Sequence, residues 1–312
     1  MSPSRRGSAL LTVLWLSAAL AAISLAVANN VRGETERAST NAEDAKSYFM
    51  ARGAIERAAM HMQWGADFYK FGQPAMDLSF PDAEVHVEII PETSKLSLNQ
   101  IPPDELVRLL IALGEPEDRA GEIAAAIIDW RTPVPPGYES LFDAFYLAQS
   151  PSFLSRHASF SENEEMLLVR GITPDLYYGT SLDDSRAGLR DCVSAQAVGS
   201  VLDVNTVRAE TMIAVGVSPS DADTIVKSRA THWILDYREL AAIQSSVGPA
   251  GQRLRIGGNT IFTLRATARM RGPDGKLSDM RRTVAAQMKF FYPGNQQKKT
   301  PGVEVIRWYD RG

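Results

Sequence analysis

Cysteine is nearly absent from this 312-residue chain: Cys192 stands alone, so no intramolecular disulfide can form. Four histidines, His61, His86, His157 and His232, lie far apart and give no zinc-ligand spacing with it. A lone cysteine reads as a small buried apolar residue rather than a nucleophile. Catalytic signatures are missing too, with no G-x-S-x-G, no H-E-x-x-H and no P-loop, and no carboxylate is paired in sequence with a base. A dominant charge is lacking as well. Lysine and arginine number 33 against 37 aspartates and glutamates, a formal charge of −4, which argues against a surface made to hold nucleic acid. Hydrophobic residues make up 45% of the chain, enough for a sizeable core in two domains or one elaborated domain.

Charge is also absent from Ser8 to Ala28, SALLTVLWLSAALAAISLAVA. As a helix that run is roughly 30 Å long, the thickness of a bilayer's hydrocarbon core. Arg5 and Arg6 precede it and place the N-terminus in the cytoplasm by the positive-inside rule, with the bulk of the chain across the membrane. Three readings compete. A cleaved secretory signal finds a weak A-x-A site at Ala26-Val27-Ala28. A plain signal anchor needs only the apolar run. A prepilin leader would be cut after Gly7, before the apolar run, leaving Ser8 as the first mature residue. Arg5-Arg6-Gly7 abutting the run has the form of that leader.

No proline interrupts the chain from Ser8 to Trp64, and apolar or small residues recur at helical spacing (Ala45, Phe49, Ile55, Ala58, Met62). The pattern predicts one long helix, greasy first and amphipathic second. Gly65 to Pro81 reads as a loop, and Glu84 to Ile90 alternates as a half-buried strand with His86 on its polar face. Near the C-terminus, Ile261–Met270 and Arg281–Phe290 are strand-like around the turn residues Gly272-Pro273-Asp274-Gly275, and Val303–Tyr309 supplies a last strand. Strands on either side of the middle would pair into one sheet packed on the helix.

The middle is helical and repeats itself. Leu96–Arg131 and Leu202–Leu240 share an apolar-x-apolar-Asn start, a helix, a glycine turn and a second helix ending in arginine. Asn99 and Asn205 occupy matching places and read as caps for the helices after them. Between the repeats, Thr173-Pro174-Asp175 starts a further helix, while Pro133–Pro136 and Asp183–Asp191 read as loops. Helix-hairpin-helix modules bind DNA phosphates through a Gly-x-Gly turn, but the second repeat has one glycine in Val215-Gly216-Val217-Ser218, and the first adds an acid and a proline at Gly114-Glu115-Pro116. Acids outnumber bases in both repeats, so packing is the simpler role. Asp129-Trp130-Arg131 reads as a helix end with an ion pair. Asp183 with Asp184, and Asp274 with Asp279, are candidate calcium ligands, with solvated loop acids as the simpler alternative.

With these pieces assembled, the chain resembles the protein K family of bacterial type II secretion systems, the large minor pseudopilins. The resemblance rests on Arg6-Gly7 with Ala9 to Trp15, Ala51-Arg52-Gly53, Leu96 to Asn99, Ala126 to Arg131, Glu165 to Pro174, and Val204-Asn205-Thr206. It implies a non-enzymatic subunit cut between Gly7 and Ser8 by the prepilin peptidase and held in the inner membrane. Such a subunit would be assembled at the pseudopilus tip in the periplasm with minor pseudopilins I and J, and H, without nucleic acid. Thr12 falls at mature position five, where most pilins carry glutamate and this family does not. Departures are Thr132-Pro133-Val134-Pro135, where relatives often have further aspartates, which weakens a carried-over calcium site, and Ser8 in place of the common phenylalanine, which bears on N-methylation. The expected fold is α+β: a leader (1–7), a transmembrane segment (8–28), an amphipathic helix and first strand (29–95), an all-α insertion with helix-hairpin-helix-like repeats (96–248), and closing strands (249–312). The rivals are a minor pilin of a type IV pilus and a membrane-anchored DNA receptor.

Overall fold

The computed structural model describes residues 6–179, 187–258, 260–272, 274–291 and 302–310. Helix α1 (Arg6–Trp64) leads into strands β1 (Ala75–Phe80), β2 (Ala83–Pro91) and β3 (Leu96–Ser97). A helical block comes next: α2 (Pro103–Ala112), α3 (Glu117–Arg131), α4 (Asp143–Leu147), a 3-10 turn at Asn163–Leu168, α5 (Pro174–Tyr178) and α6 (Leu189–Cys192). It continues through β4 (Val193–Ser194), β5 (Leu202–Asp203), α7 (Ala209–Ala214), α8 (Pro219–Thr231), α9 (Tyr237–Val247) and β6 (Leu254–Arg255). The chain closes with β7 (Ile261–Met270), β8 (Arg282–Phe291) and β9 (Gly302–Tyr309).

The main sheet has the order β1-β2-β7-β8-β9, antiparallel throughout. Its neighbours β2 and β7 are the strands from which the helical block leaves and to which it returns, so the insertion interrupts the chain without interrupting the sheet. The last part of α1 lies on one sheet face. Ala51, Ala54, Ile55, Ala58, Ala59 and Met62 recur three or four residues apart and are buried against Val85, Val87, Phe262, Leu264, Val284 and Met288. Four alanines on that stripe let the helix approach the sheet closely, and the strands answer with alternating buried residues.

The segment expected to be a loop before Pro81 contains β1. Met76 and Leu78 are buried on alternate positions, and the strand pairs with β2 from Ala75↔Glu88 to Phe80↔Ala83. Pro74 and Pro81 bracket the strand rather than interrupt it, the position at which proline is compatible with an edge strand. The helical block has a separate core, running from Leu96 and Leu98 through Leu106, Ile123, Trp130, Tyr146 and Met166 to Val204, Met212, Leu254 and Ile256. Trp130 is its aromatic centre, edge-on to Tyr146 and stacked with Phe160.

Candidate functional site

The candidate functional surface is the exposed apolar part of α1 together with the block mounted at the other end. From Leu10 to Val31 the apolar side chains of α1 are exposed, Trp15 at 75%, and none of the described residues folds back over them. By length and composition this helix is a candidate membrane span. Gly7 and Ser8 lie in its first turn, and Thr12 stands about one turn beyond Ser8. Past Val31 the exposed surface becomes polar, with Arg32–Glu36 and Arg37–Glu34 pairs at helical spacing, before the buried stripe begins.

The two repeats of the block are built on one framework. Glycines with positive φ, Gly114 (95°) and Gly216 (98°), end α2 and α7, a backbone conformation that favours glycine. Arg131, closing α3, donates from Nη1 to the Leu98 carbonyl and from Nη2 to the Ile101 carbonyl, both at 2.7 Å. Arg229, near the end of α8, donates in the same way to Val204 (2.7 Å) and Val207 (2.6 Å). The ion pair expected at Asp129-Trp130-Arg131 is therefore replaced. The guanidinium fork is occupied by carbonyls left unpaired where the chain turns into the first helix, while the Asp129 carboxylate accepts from Ser140 Oγ at 2.9 Å.

Nor do the asparagines cap helices. Asn99 accepts from the Phe160 N–H (2.7 Å) and donates to its carbonyl (3.0 Å); Asn205 does the same with Ile234, at 2.9 and 2.8 Å. A primary amide offers donor and acceptor side by side, so each asparagine mimics a strand edge and ties a distant segment to its repeat. The next helices begin at Pro103 and Ala209, with Pro102 and Arg208 at the cap positions.

Where block meets sheet, the chain passes through a narrow neck. Buried Asp203 accepts from the Gly257 N–H (2.7 Å) and from Thr206 Oγ1, which also meets Ser94 Oγ; Asn205 donates to the Gly72 carbonyl at 3.0 Å. Burial pushes the Asp203 carboxyl up, against the hydrogen bonds and the charge of Arg229 that lower it. Burial also brings Arg229 down to about 10.

Beside the neck, Glu92 is only 3% exposed and accepts from Thr263 Oγ1 at 2.9 Å. Burial raises its carboxyl, but the charge of Lys95 and the Ser194, Gln287 and Thr263 side chains outweigh that and hold it below the ordinary value. Its charged form thus supports the fold above the ordinary glutamate value, and that support is lost as pH falls through the lowered one. Glu92→Gln should cost about 1–3 kcal/mol at neutral pH. It should also flatten the acid limb of a stability-against-pH curve measured by denaturant titration; an unchanged limb would contradict this role.

Of the calcium candidates, Asp183 and Asp184 lie outside the described residues. Asp274 Oδ1 accepts from its own turn, the Lys276 N–H at 3.1 Å, and Asp279 is fully exposed, 3.9 Å from Arg269. Among the described residues no group of three or more His, Cys, Asp or Glu side chains is placed to hold a metal ion. Cys192 is buried and its thiol is pushed up to about 12 by burial, which makes it a packing residue. His86 is exposed and meets Asp77 at 2.7 Å.

One cluster has no counterpart in the sequence pattern. His157, at φ 46°, brings Nε2 to 2.7 Å from Ser155 Oγ and 2.9 Å from Asp143 Oδ1. The same ring nitrogen makes both contacts, so the three residues are not the relay of a nucleophile, a base and an orienting acid. They fix the long excursion after α3 around Tyr146. The spacing Ser155-x-His157 matches no motif that would announce it.

Residues 92–179, the first half of the block with the Glu92 turn, match the family described as type II secretion system (T2SS), protein K. A Klebsiella pneumoniae protein, type II secretion system protein K, is 26% identical over 202 residues; the match takes in 57% of this chain and 61% of that protein's length. Among solved structures, the GspK-GspI-GspJ complex from the enterotoxigenic Escherichia coli type 2 secretion system includes a chain of the same fold. The TM-score is 0.54 at 15% identity, covering 88% of this chain and 98% of that one.

Proposed function

We propose, from the match of residues 92–179 to the type II secretion system protein K family and the similarity to a relative of that name, that this chain serves as a minor pseudopilin that caps the pseudopilus tip and supports protein export across the outer membrane. The observation that carries this reading is a bare apolar helix mounted on a pilin-like sheet that bears a bulky helical block. An apolar helical segment whose side chains none of the described residues covers is suited to lie first in lipid and then against neighbouring helices. A block of this size, set on the sheet at the far end of α1, suits a terminal subunit better than a repeating one.

In this reading the partners are minor pseudopilins I and J, and H. The resemblance to a chain of a GspK-GspI-GspJ complex supports the first two. The prepilin peptidase cuts between Gly7 and Ser8 on the cytoplasmic face of the inner membrane, and the block stands in the periplasm. Thr12 offers no carboxylate to the amino terminus of a subunit above, which suits a position with nothing above it. The protein acts without catalysis.

Protein extracted from the membrane should give an N-terminal sequence beginning at Ser8, and small pilin-like proteins should co-purify with it. A mature chain beginning near Asn29 would mean that the apolar helix is a discarded signal, and the filament reading would fall.

A further inference from the structure

The helical block is fastened to the sheet very differently on its two sides. On the side of β1, β2 and β7 the neck carries both covalent connections, and they touch: a Cβ built on Gly258 would lie 2.1 Å from Pro91 Cβ. The neck's hydrogen bonds, Asp203 to Gly257 and Asn205 to Gly72, are buried or partly buried. On the side of β8 and β9 the fastening is an ion-pair clasp. Arg307 Nη1 on β9 donates to Glu162 Oε2 at 2.9 Å and to Glu164 Oε2 at 3.4 Å, both at the 3-10 turn of the block. Their side chains are 39%, 57% and 39% exposed, so water and salt reach them. Between neck and clasp the seam holds a pocket of about 110 Å³ lined by residues that include Glu92, Tyr177, Arg190, Thr263, Gln287 and Tyr309.

A tight buried attachment along one side, a polar pocket, and a solvent-screened contact along the other form a hinge with a latch. We propose that the block rocks on the neck, and that the Arg307 clasp to Glu162 and Glu164 sets how much of the population is closed. The pocket along this seam is lined mainly by charged and polar side chains, with the rings of Tyr177 and Tyr309 among them, so opening there exposes little purely apolar surface. Exposed ion pairs are weak and fade with ionic strength, so the closed state is salt-sensitive and opening needs no unfolding. The device is independent of the assignment as a tip subunit and concerns only how this chain holds its block.

Pulsed dipolar spectroscopy on the full chain in detergent micelles tests it. Spin labels at the exposed positions Ala125 on α3 and Glu304 on β9 report the block against the sheet edge, and labels at Asp77 and Glu304 report the sheet alone. The native chain at low salt should give one narrow distribution for the first pair. Arg307→Ala, and native protein in about 1 M salt, where the Debye length is near 3 Å, should both broaden and lengthen it while the sheet pair stays unchanged. Exchanging the charges (Arg307→Glu with Glu162→Arg and Glu164→Arg) should restore the narrow distribution. No broadening in Arg307→Ala would overturn the latch. Broadening of both pairs would show loss of the fold rather than rocking and would overturn it equally.

Discussion

Gly258→Ala should destabilise the protein by about 3 kcal/mol, at or beyond the upper end of ordinary overpacking costs. The added methyl would sit 2.1 Å from Pro91 Cβ and 3.1 Å from both Pro91 Cγ and Thr93 Oγ1. A flexible side chain could swing aside, but a proline ring cannot, because its backbone φ is fixed by the same ring. Relief must then come from the backbone, at the point where both connections to the block pass. Pro91 pairs with Phe262 at the end of the β2–β7 ladder, so the displacement would run into the central sheet on one side and into the Glu92 turn on the other.

Gly121→Ala is the matched comparison: it lies inside α3 with nothing within 4 Å of the added Cβ, and should stabilise by about 0.5–1 kcal/mol through helix propensity. Denaturant titration of both variants in micelles measures the difference. Equal midpoints for Gly258→Ala and the native protein would show that the neck has slack.

Much of this architecture is written locally. The long helix comes from an uninterrupted apolar run joined to a helically spaced one, and β2, β7, β8 and β9 from period-two alternation beside turn residues. The two repeats are visible because Gly114 and Gly216, Asn99 and Asn205, and Arg131 and Arg229 recur in the same order. Their roles are not, because a side chain's partner is a tertiary fact. Asparagine before a helix reads as a cap in any sequence, whereas these two amides reach Phe160 and Ile234, 61 and 29 residues onward. An arginine two residues from an aspartate reads as an ion pair until the carbonyls of Leu98 and Ile101 are seen beneath it.

Strand β1 is hidden for the opposite reason, since prolines at both ends outweigh a short alternation that only pairing with β2 makes stable. The neck and the clasp have no local signature at all. Asp203 and Gly257, or Glu162 and Arg307, are brought together by the closure of the sheet around the insertion, and no spacing in the chain encodes that.

The two arginines of the repeats provide the sharpest energetic contrast. Arg229→Ala leaves the Val204 and Val207 carbonyls without their donor and also removes the cation that faces buried Asp203. Two acceptors without their donor, and a buried carboxylate that keeps its hydrogen bonds but loses its facing cation, together predict a loss of about 3–5 kcal/mol. Arg131→Ala strands two carbonyls in the same geometry, but burial alone shifts Arg131, and among the described residues no carboxylate is shifted by it. Its loss should therefore be smaller, about 2 kcal/mol.

The pH dependence separates the two further. With Arg229 gone, the Asp203 carboxyl should rise further still, so the variant's deficit should shrink on acidification as the proton replaces the missing cation. The Arg131→Ala deficit should stay flat with pH. Stability curves for the two variants between about pH 4 and pH 7 decide the matter, that interval lying above the unperturbed aspartate value. If both deficits are equal and flat, Asp203 does not draw on Arg229, and the neck is held by hydrogen bonds without help from charge.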